Sequence, residues 1–335
     1  MKKPLLMDLE NNVFLEDGKL VIIDRRRLPR DITKIACRDD HDVARAIIDM
    51  AVQGAGDIAI TAGFGLYLAA VKAEEKAPHD IVKALQESSS RLCATRPTGF
   101  HLAALQKKIM GKIRQENRIG MKHSEMILEY LQMALAKQRA ISRDTGKHAE
   151  TLLASGDHIL THCFAGPGLL YMLQYARDNH KDIRVICTET RPYLQGARLT
   201  AWSIATMGID TTLITDNMVA HCMSMGMIRK AFTAADRIAM DGVAANKVGT
   251  LQLAICAKFY QIPFYILAYG GPDRHTLKGS DIPIEERDPR EVLEFRGIPT
   301  SGSDVKAYYP SFDLTPPDLI TATITSRGIT SYKTD

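Results

Sequence analysis

The sequence has little that is typical of secreted, membrane-bound or nucleic-acid-binding proteins. Its six cysteines contain no CxxC pair and are scattered from position 37 to position 256, which argues against a disulfide framework. A net charge of +4, from 43 basic and 39 acidic residues, is too small and too evenly spread for a nucleic-acid surface. No apolar stretch approaches the roughly 18 residues of a membrane span, and the start MKKPLLMDLENN lacks the apolar core of a signal peptide. We therefore expect a cytoplasmic protein without nucleic-acid or membrane partners.

The sequence also lacks the patterns of common metal and dinucleotide sites. The pairs His162-Cys163 and His221-Cys222 place metal-binding side chains next to each other, but neighbouring side chains on a strand point to opposite faces and rarely bind one ion. No GxGxxG motif follows the first predicted strand of the C-terminal half, so the dinucleotide fingerprint is missing. We expect no metal and no cofactor.

Residues 1–154 are predicted to form a smaller, mainly helical domain that begins with a β-hairpin. The dipeptide Asp17-Gly18 lies between two alternating runs in NVFLEDGKLVII, a strong hairpin signal. Residues 39–54 open with acidic residues and have apolar positions at helical spacing, and Gly54 is expected to end that helix. Further helical stretches are predicted within residues 57–76, 96–118 and 120–154.

Residues 155–335 are predicted to form a Rossmann-like domain of the α/β class. Short apolar runs alternate there with helix-like stretches such as GARLTAWSIATMG, which indicates parallel βαβ units and a doubly wound sheet. The strand-like runs are HILTHC, IRVICTE, DTTLIT, DRIAM and PFYILA.

Polar side chains beside these strands are the candidate functional groups, because open α/β sheets bind ligands beyond the carboxyl ends of their strands. They are Cys163, Glu189, Asp216 and Asp236. A second interpretation stays open for each, since a carboxylate there is also a good helix N-cap and a lone cysteine is often a packing residue. In CFAGPG, the two glycines after Cys163 allow backbone N–H groups and a helix N-terminus to approach an anion and to lower the pKa of the thiol.

Two further turns outline a phosphate site. QGAGD, residues 53–57, lies at a helix boundary, and TRPTG, residues 95–99, places Arg96 beside a proline that opens a helix. An arginine near helix N-termini and glycine-rich turns suits a phosphate group. The alternative is a capped helix start with a solvated arginine.

Several long stretches resemble the methylthioribose-1-phosphate isomerase family, whose relatives include the regulatory subunits of the eukaryotic initiation-factor guanine exchange factor. The stretches are ILTHC, ETRPYLQGARLTAWSIATMGIDTTLITDNM, ADRIAMDGVAANKVGTLQLAICAKFYQIPFY, DIPIEERDPREV and PSFDLTPPDLITATITSRGI. The resemblance implies a helical N-terminal domain with a hairpin, a Rossmann-like C-terminal domain and a homodimer. It also implies a cofactor-free aldose–ketose isomerase that converts a 5-modified ribose 1-phosphate into the ribulose 1-phosphate, in methionine or nucleoside salvage.

The resemblance assigns roles to individual residues. The family's catalytic cysteine and aspartate fall on Cys163 and Asp236. Its substrate-binding positions fall on Gln53, Gly54, Ala55, Arg96, Gln195, Asn246 and Lys247. Because the substrate is phosphorylated on its anomeric oxygen, the phosphate must be held while the ring oxygen is protonated, a general-acid step that suits Asp236. A hydrogen must then move from C2 to C1, with Cys163 either removing a proton or assisting a hydride shift.

Two departures from the family pattern fall where the substrate is expected. Typical members carry an Arg-Gly-Ala-Pro turn whose arginine helps to hold the sugar phosphate, where this chain has Gln53-Gly54-Ala55-Gly56. The turn FAGPG after the cysteine also differs from the more usual Asn-Ala-Gly. Both departures favour considering 5-deoxyribose 1-phosphate, or another 5-modified pentose 1-phosphate, beside 5-methylthioribose 1-phosphate.

Two other functions stay open at this point. One is a non-catalytic regulatory or nucleotide-sensing protein, which would have no chemical reason to keep both Cys163 and Asp236. The other is a ribose-1,5-bisphosphate isomerase, which needs a second phosphate pocket, and we identify no additional basic cluster for one in the sequence.

Overall fold

The structure, a computed structural model, describes residues 3–74, 78–96, 99–115, 121–295 and 297–331. The chain divides into two compact units. The first unit is Asp8–Arg139, and the second unit is Met1–Met7 together with Ala140–Asp335. The sequence-based domain boundary between residues 154 and 155 stays a prediction beside this division.

The first unit contains a three-stranded antiparallel sheet in the order β1-β2-β3. Its strands are β1 (Val13–Glu16), β2 (Lys19–Ile23) and β3 (Lys34–Cys37). The predicted hairpin is confirmed, because Glu16 pairs with Lys19 across the turn. Asp17 and Gly18 have φ values of 51° and 72° there, the left-handed conformations that a tight two-residue hairpin turn requires.

The helices of this part of the chain are α1 (Asp40–Ile48), α2 (Ala55–Ala73), α3 (Pro78–Ala94), α4 (Phe100–Gln115) and α5 (His123–Glu150), and a short 3-10 helix spans Leu9–Asn11. The unit boundary falls inside α5.

Sequence reasoning missed α3. It also placed the end of α1 wrongly at Gly54, since α1 ends at Ile48 and the chain reverses at Met50, whose φ is 61°. The Ala51 N–H donates back to the Ala46 carbonyl at 2.9 Å, a bond typical of a Schellman helix end. Gly54, at φ 92°, instead precedes the first turn of α2.

Helix α2 corrects the expectation that no segment is as long and apolar as a membrane span. It has 19 residues, and an 18-residue window in it has a mean hydropathy of 1.2. By length and composition alone, α2 is therefore a candidate span. However, 67% of that window is buried inside the protein, and Phe64, Leu66 and Leu68 are part of the hydrophobic core of the first unit. This burial is that of a core helix.

The described part of the second unit holds twelve strands and the remaining helices. The strands are β4 (Asp157–Thr161), β5 (Ile183–Thr188), β6 (Asp210–Ile214), β7 (Lys230–Ala235), β8 (Arg237–Ile238), β9 (Ala244–Lys247), β10 (Phe264–Ala268), β11 (Glu294–Phe295), β12 (Ile298–Pro299), β13 (Phe312–Thr315), β14 (Ala322–Thr325) and β15 (Gly328–Ser331). The helices are α6 (Gly166–Asp178), a π-helical segment Gly196–Ala201 that continues into α7 (Trp202–Thr206), α8 (Val219–Ser224), α9 (Thr250–Phe259), α10 (Arg290–Leu293) and the 3-10 turns Asp216–Met218, Gly279–Asp281 and Pro317–Leu319.

Seven strands form the central sheet, in the order β15-β14-β10-β7-β4-β5-β6. All neighbours are parallel except β15, which pairs antiparallel with β14. The chain builds one half outward from β4 through β5 to β6, and the other half outward from β7 through β10 to β14. The strand order therefore reverses between β4 and β7, which is the topological switch point of a Rossmann-like sheet. The predicted fold class is confirmed.

Helices cover both faces of this sheet. On β4, Ile159 packs in one core with Leu169 of α6, and its neighbour Leu160 packs in another core with Leu253 of α9. Strand β7, KAFTAA, was missed because its short side chains give a weak apolar signal. The prediction of a central strand at DRIAM is wrong, since that segment supplies only the short strand β8 of a separate sheet.

That separate sheet carries several of the predicted site residues. It is antiparallel, in the order β13-β9-β8. Its register places Phe312 opposite Lys247 and Asp313 opposite Asn246. Strand β8 begins directly after Asp236, so one small sheet positions the aspartate and both polar residues of the ANK motif.

Candidate active site

Cys163 and Asp236 lie at the two strand ends that flank the switch point. Cys163 comes two residues after β4, and Asp236 follows β7 directly, while β4 and β7 are paired neighbours in the sheet. The negative charge of Asp236 contributes to raising the pKa of the Cys163 thiol, so the two side chains interact. A crevice at such a switch point is where open α/β sheets bind ligands.

The backbone of Cys163 is held in an uncommon conformation. Its φ is 64°, in the left-handed region that costs free energy for a residue with a side chain. Its N–H donates to Thr190 Oγ1 at 2.9 Å, and its carbonyl accepts from Thr200 Oγ1 at 2.6 Å. These two bonds hold the backbone that carries the thiol.

The thiol is surrounded by groups with opposing effects on its ionisation. Burial is the largest influence and raises the pKa of Cys163. The Lys247 charge and the N–H donors of Gln195 and Phe164 act in the opposite direction, with Gln195 Nε2 at 3.3 Å from Sγ. The prediction of a lowered pKa is therefore wrong, because desolvation outweighs the donors, and the thiol is protonated at neutral pH.

Gln195 lies on a loop that Asp216 holds in place. The Asp216 carboxylate accepts the N–H groups of Thr190 and Arg191, both at 2.7 Å. Asp216 thus holds the loop after β5 in place, a task that is neither ligand binding nor the helix N-cap considered from the sequence. The amide of Gln195 is 2% exposed, and its Oε1 has no hydrogen-bond partner in the described part of the chain. An unpaired buried acceptor beside the thiol suits a ligand hydroxyl.

Gly196, the first residue of the π-helical segment, allows this loop to fold close to strand β5. A Cβ at this position would lie 2.0 Å from the carbonyl oxygen of Thr188 and 2.6 Å from Thr190 Oγ1. Only glycine fits such an approach without moving the backbone. The glycine that follows Gln195 is thus explained by packing.

His162 connects the Cys163 turn to the start of α9. It is buried, with Nδ1 2.6 Å from Thr188 Oγ1 and Nε2 3.0 Å from the Val248 carbonyl. The carbonyl can only accept, so Nε2 carries the proton and Nδ1 accepts from the threonine hydroxyl. Burial lowers the pKa of His162, which keeps the ring neutral. With both nitrogens occupied, His162 has a structural task.

Asn246 and Lys247 end β9 immediately before α9. Asn246 Nδ2 donates to Thr250 Oγ1 at 3.0 Å. The N–H groups of Gly249 and Leu251 donate to Asp313 Oδ2 at 2.7 and 3.1 Å, and burial raises the pKa of Asp313 to about 6. The first turn of α9 is thus already capped by a carboxylate, and Lys247 is the charged residue that precedes this turn at the end of β9.

Tyr309 was missed by sequence reasoning, although it lies one residue before the quoted PSFDLTPPD stretch. Its hydroxyl accepts from Lys247 Nζ at 3.5 Å, and its pKa is raised by burial and by the charge of Glu291, with a smaller contribution from Cys163. The Lys247 ammonium lies 5.3 Å from the ring centroids of both Tyr309 and Phe312. A lone tyrosine in a loop gives no sequence signal, because only the fold brings it to Lys247.

In the described ranges, no group of three or more His, Cys, Asp and Glu side chains is arranged to hold a metal ion. All six cysteines are free thiols.

The remaining predicted site residues, Gln53, Gly54, Ala55 and Arg96, lie in the first unit. Gln53 and Arg96 both contact Met50: Gln53 Nε2 is 3.5 Å from its carbonyl oxygen, and Arg96 Nη1 is 3.2 Å from its sulfur. Ala55 begins α2, and Gly54 is the N-cap residue before it. The helix start predicted at the proline of TRPTG lies outside the described residues, and α4 is described from Phe100 onward.

The main chain of the Gln53 turn is held by Arg25. This buried arginine donates to the Gln53 carbonyl oxygen and pairs with Asp57 Oδ2 at 2.6 Å. Gln138 Nε2 donates to the other oxygen of Asp57 at 2.8 Å. A buried and paired charge thus fixes the turn whose side chain was predicted to bind substrate.

Comparison with known proteins gives consistent matches over nearly the whole chain. Residues 51–331 match the model of the initiation factor 2 subunit family. The methylthioribose-1-phosphate isomerase of Chloroflexus aurantiacus is 38% identical over 329 residues, covering 95% of this chain and 94% of that protein. The enzyme of the same name from Petrotoga mobilis is 41% identical over 325 residues, covering 93% of each.

Two solved structures are similar over the same extent. The 5-methylthioribose 1-phosphate isomerase from Pyrococcus horikoshii has a TM-score of 0.83 at 31% identity, covering 96% of this chain and 92% of that one. The translation initiation factor eIF-2B, subunit delta, from A. fulgidus has a TM-score of 0.82 at 34% identity, covering 95% of each.

Proposed function

The chain belongs to the initiation factor 2 subunit family, and we propose that it is an aldose–ketose isomerase that converts a 5-modified ribose 1-phosphate into the corresponding ribulose 1-phosphate. The observation that carries the proposal is the pair Cys163 and Asp236 at the switch point, with the charge of Asp236 acting on the thiol. A relative that only binds a partner has no chemical need for this pair.

The described groups suit the steps of such a reaction. Lys247 holds the phosphate, and Gln195 Oε1 accepts a hydrogen bond from a sugar hydroxyl. Asp236 protonates the ring oxygen as the ring opens. Cys163 lies beside the carbons between which hydrogen moves. The buried surroundings of the thiol strengthen every one of these electrostatic interactions, because little water competes with them.

The resemblance supplies the roles of the first unit's residues. Gln53, Gly54, Ala55 and Arg96 are proposed to contact the substrate. Gln53 has no charge to offer a phosphate group, so substrate binding by the first unit depends on Arg96 for its positive charge.

The proposal also concerns which substituent the substrate carries at carbon 5 of the sugar. The relatives named above carry methylthioribose-1-phosphate isomerase in their names, which supports 5-methylthioribose 1-phosphate. The loss of the usual arginine at position 53 supports 5-deoxyribose 1-phosphate as a second substrate. A step in methionine or nucleoside salvage is part of the same proposal. The family's homodimer and a cytoplasmic location are proposed with it.

The deciding experiment measures ketose formation by the purified protein. The substrates are the 1-phosphates of 5-methylthioribose and 5-deoxyribose, and ribose 1,5-bisphosphate. Turnover of either 5-modified substrate, lost in Cys163→Ser, supports the isomerase. Turnover of the bisphosphate alone would identify the bisphosphate isomerase. No turnover of any of the three would contradict the proposal and favour a regulatory protein, the function that the name of the A. fulgidus structure suggests.

A further inference from the structure

Tyr309 is a buried donor beside the group proposed to hold the phosphate. Its side chain is 4% exposed. The segment that carries it is fixed, because the Arg287 N–H donates to the Tyr309 carbonyl at 3.0 Å. The main chain at Tyr309 is therefore held in place, and burial surrounds the phenol.

The hydrogen of this phenol has no acceptor within the described residues. The one hydrogen bond of the hydroxyl is the bond from Lys247 Nζ at 3.5 Å. An ammonium only donates, so the phenol oxygen accepts in that contact and its own O–H is left to donate. A buried O–H group without an acceptor is costly unless a ligand or water supplies one.

The arginine close to Tyr309 is already engaged. Arg287 Nη2 lies 2.8 Å from Glu291 Oε1, and its Nη1 lies 3.8 Å from Glu285 Oε1. Its charge is matched by these two carboxylates. The positive charge that lies next to the phenol, and that the resemblance assigns to substrate binding, is the Lys247 ammonium.

We propose that Tyr309 is a substrate-binding residue whose O–H donates to a phosphate oxygen of the sugar phosphate held by Lys247. The phenol oxygen lies 3.5 Å from the Lys247 ammonium. Because the two donors are so close, one phosphate group can accept hydrogen bonds from both. The raised pKa of Tyr309 keeps the phenol protonated over the working pH range. This inference rests on the proposed function for the identity of the ligand.

The test uses inorganic phosphate as the probe, measured by calorimetry and as a competitive inhibitor. Tyr309→Phe removes the O–H and keeps the ring that packs on Lys247. We expect it to weaken phosphate binding about tenfold, the effect of losing a hydrogen bond to a charged group. Tyr308→Phe is the matched control, because the neighbouring Tyr308 is 68% exposed, and it is expected to bind phosphate as the wild type does.

A second variant separates direct binding from mere support of Lys247. Phe312→Leu removes the other ring at 5.3 Å from the same ammonium and no hydrogen-bond donor. A clearly smaller effect of Phe312→Leu than of Tyr309→Phe supports the proposal. An equal or larger effect would mean that the phenol only positions Lys247, and would overturn it.

Two further outcomes also overturn the inference: wild-type phosphate affinity in Tyr309→Phe, and no measurable binding of millimolar phosphate by the wild type. Because calorimetry needs no turnover, a weakened Tyr309→Phe variant supports the anion contact even if the isomerase assay is negative. Failure of the proposed function is therefore seen separately from failure of this inference.

Discussion

The turn at Cys163 and the turn at Gln53 are both followed by a glycine and a helix, but the protein constrains them differently. At Cys163, the backbone is tied to Thr190 and Thr200 and the side chain is tied to Gln195. At Gln53, the carbonyl is held by buried Arg25, while the side chain has only a marginal contact of 3.5 Å with the Met50 carbonyl. A fixed side chain marks a group whose position matters to chemistry. At Gln53, the side chain is buried but makes one marginal hydrogen bond, so a change of residue type there loses no strong contact.

The largest effect is expected at Cys163 and at Asp236, which lies across the switch point from it. Cys163→Ser and Asp236→Asn should each lower kcat by at least about 100-fold, because positioned acid–base groups contribute that much. The measurement is steady-state turnover of the best substrate, with circular dichroism to show that the variants are folded.

Matched controls for this pair are Cys256→Ser, on the partly exposed side of α9, and Asp210→Asn, at the exposed start of β6. Both should keep wild-type turnover. Near wild-type activity of either Cys163→Ser or Asp236→Asn would remove that residue from the catalytic assignment.

The next effect is expected at Arg96, the charged residue beside the Gln53 turn. Arg96→Ala should raise KM for both 5-modified substrates about tenfold or more, since a lost charge-assisted hydrogen bond is worth about 1.5–3 kcal/mol. The control is Arg30→Ala, an exposed arginine of the same unit. An unchanged KM in Arg96→Ala would show that this arginine is solvated, the alternative left open by its sequence context.

The contrast between the turns also shows what the sequence allows one to predict. Apolar periodicity predicted the strands and helices on either side of Cys163, because a parallel strand buried on both faces reads as a continuous apolar run. It failed at β7, where small residues fill the strand, and at the end of α1, where Met50 takes a left-handed conformation that no local residue type announces.

The site was predictable only where a residue stands at a strand end or in a family motif. The pKa of Cys163 was predicted in the wrong direction, since the glycine-rich turn is visible in the sequence but the burial that outweighs it is not. The roles of Tyr309 and Arg25 could not be predicted from the sequence for a related reason. Each acts on a residue far away in the sequence, Lys247 and Gln53 respectively, and such contacts exist only after folding.

A smaller effect on activity is expected from restoring a charge at the Gln53 turn. Gln53→Arg should improve kcat/KM for 5-methylthioribose 1-phosphate relative to 5-deoxyribose 1-phosphate, by several-fold, because it restores the charge that typical family members carry there, while the Arg25–Asp57 pair holds only the main chain of the turn. Gln53→Ala is the control and should leave the substrate ratio unchanged. An unaltered ratio in Gln53→Arg would exclude position 53 from substrate choice.

The smallest effect concerns how Cys163 takes part. Burial holds its pKa above the ordinary value of 9.0, so the thiolate is scarce at neutral pH, and a mechanism in which the thiolate removes the C2 proton requires kcat/KM to rise about tenfold per pH unit up to that pKa. We expect no such rise between about pH 6.5 and 8.5, since a protonated thiol in a dry site suits a hydride shift better. Ionisation of Asp236, the proposed acid, would only lower the rate as pH increases, so it cannot mimic the rise.

Turnover in D₂O provides the second measurement, because a hydride shift carries the C2 hydrogen to C1 without exchange, whereas a proton removed by sulfur exchanges with solvent. A tenfold rise per pH unit together with deuterium at C1 would identify Cys163 as the base, and would mean that its donors Gln195, Phe164 and Lys247 outweigh its burial once substrate is bound.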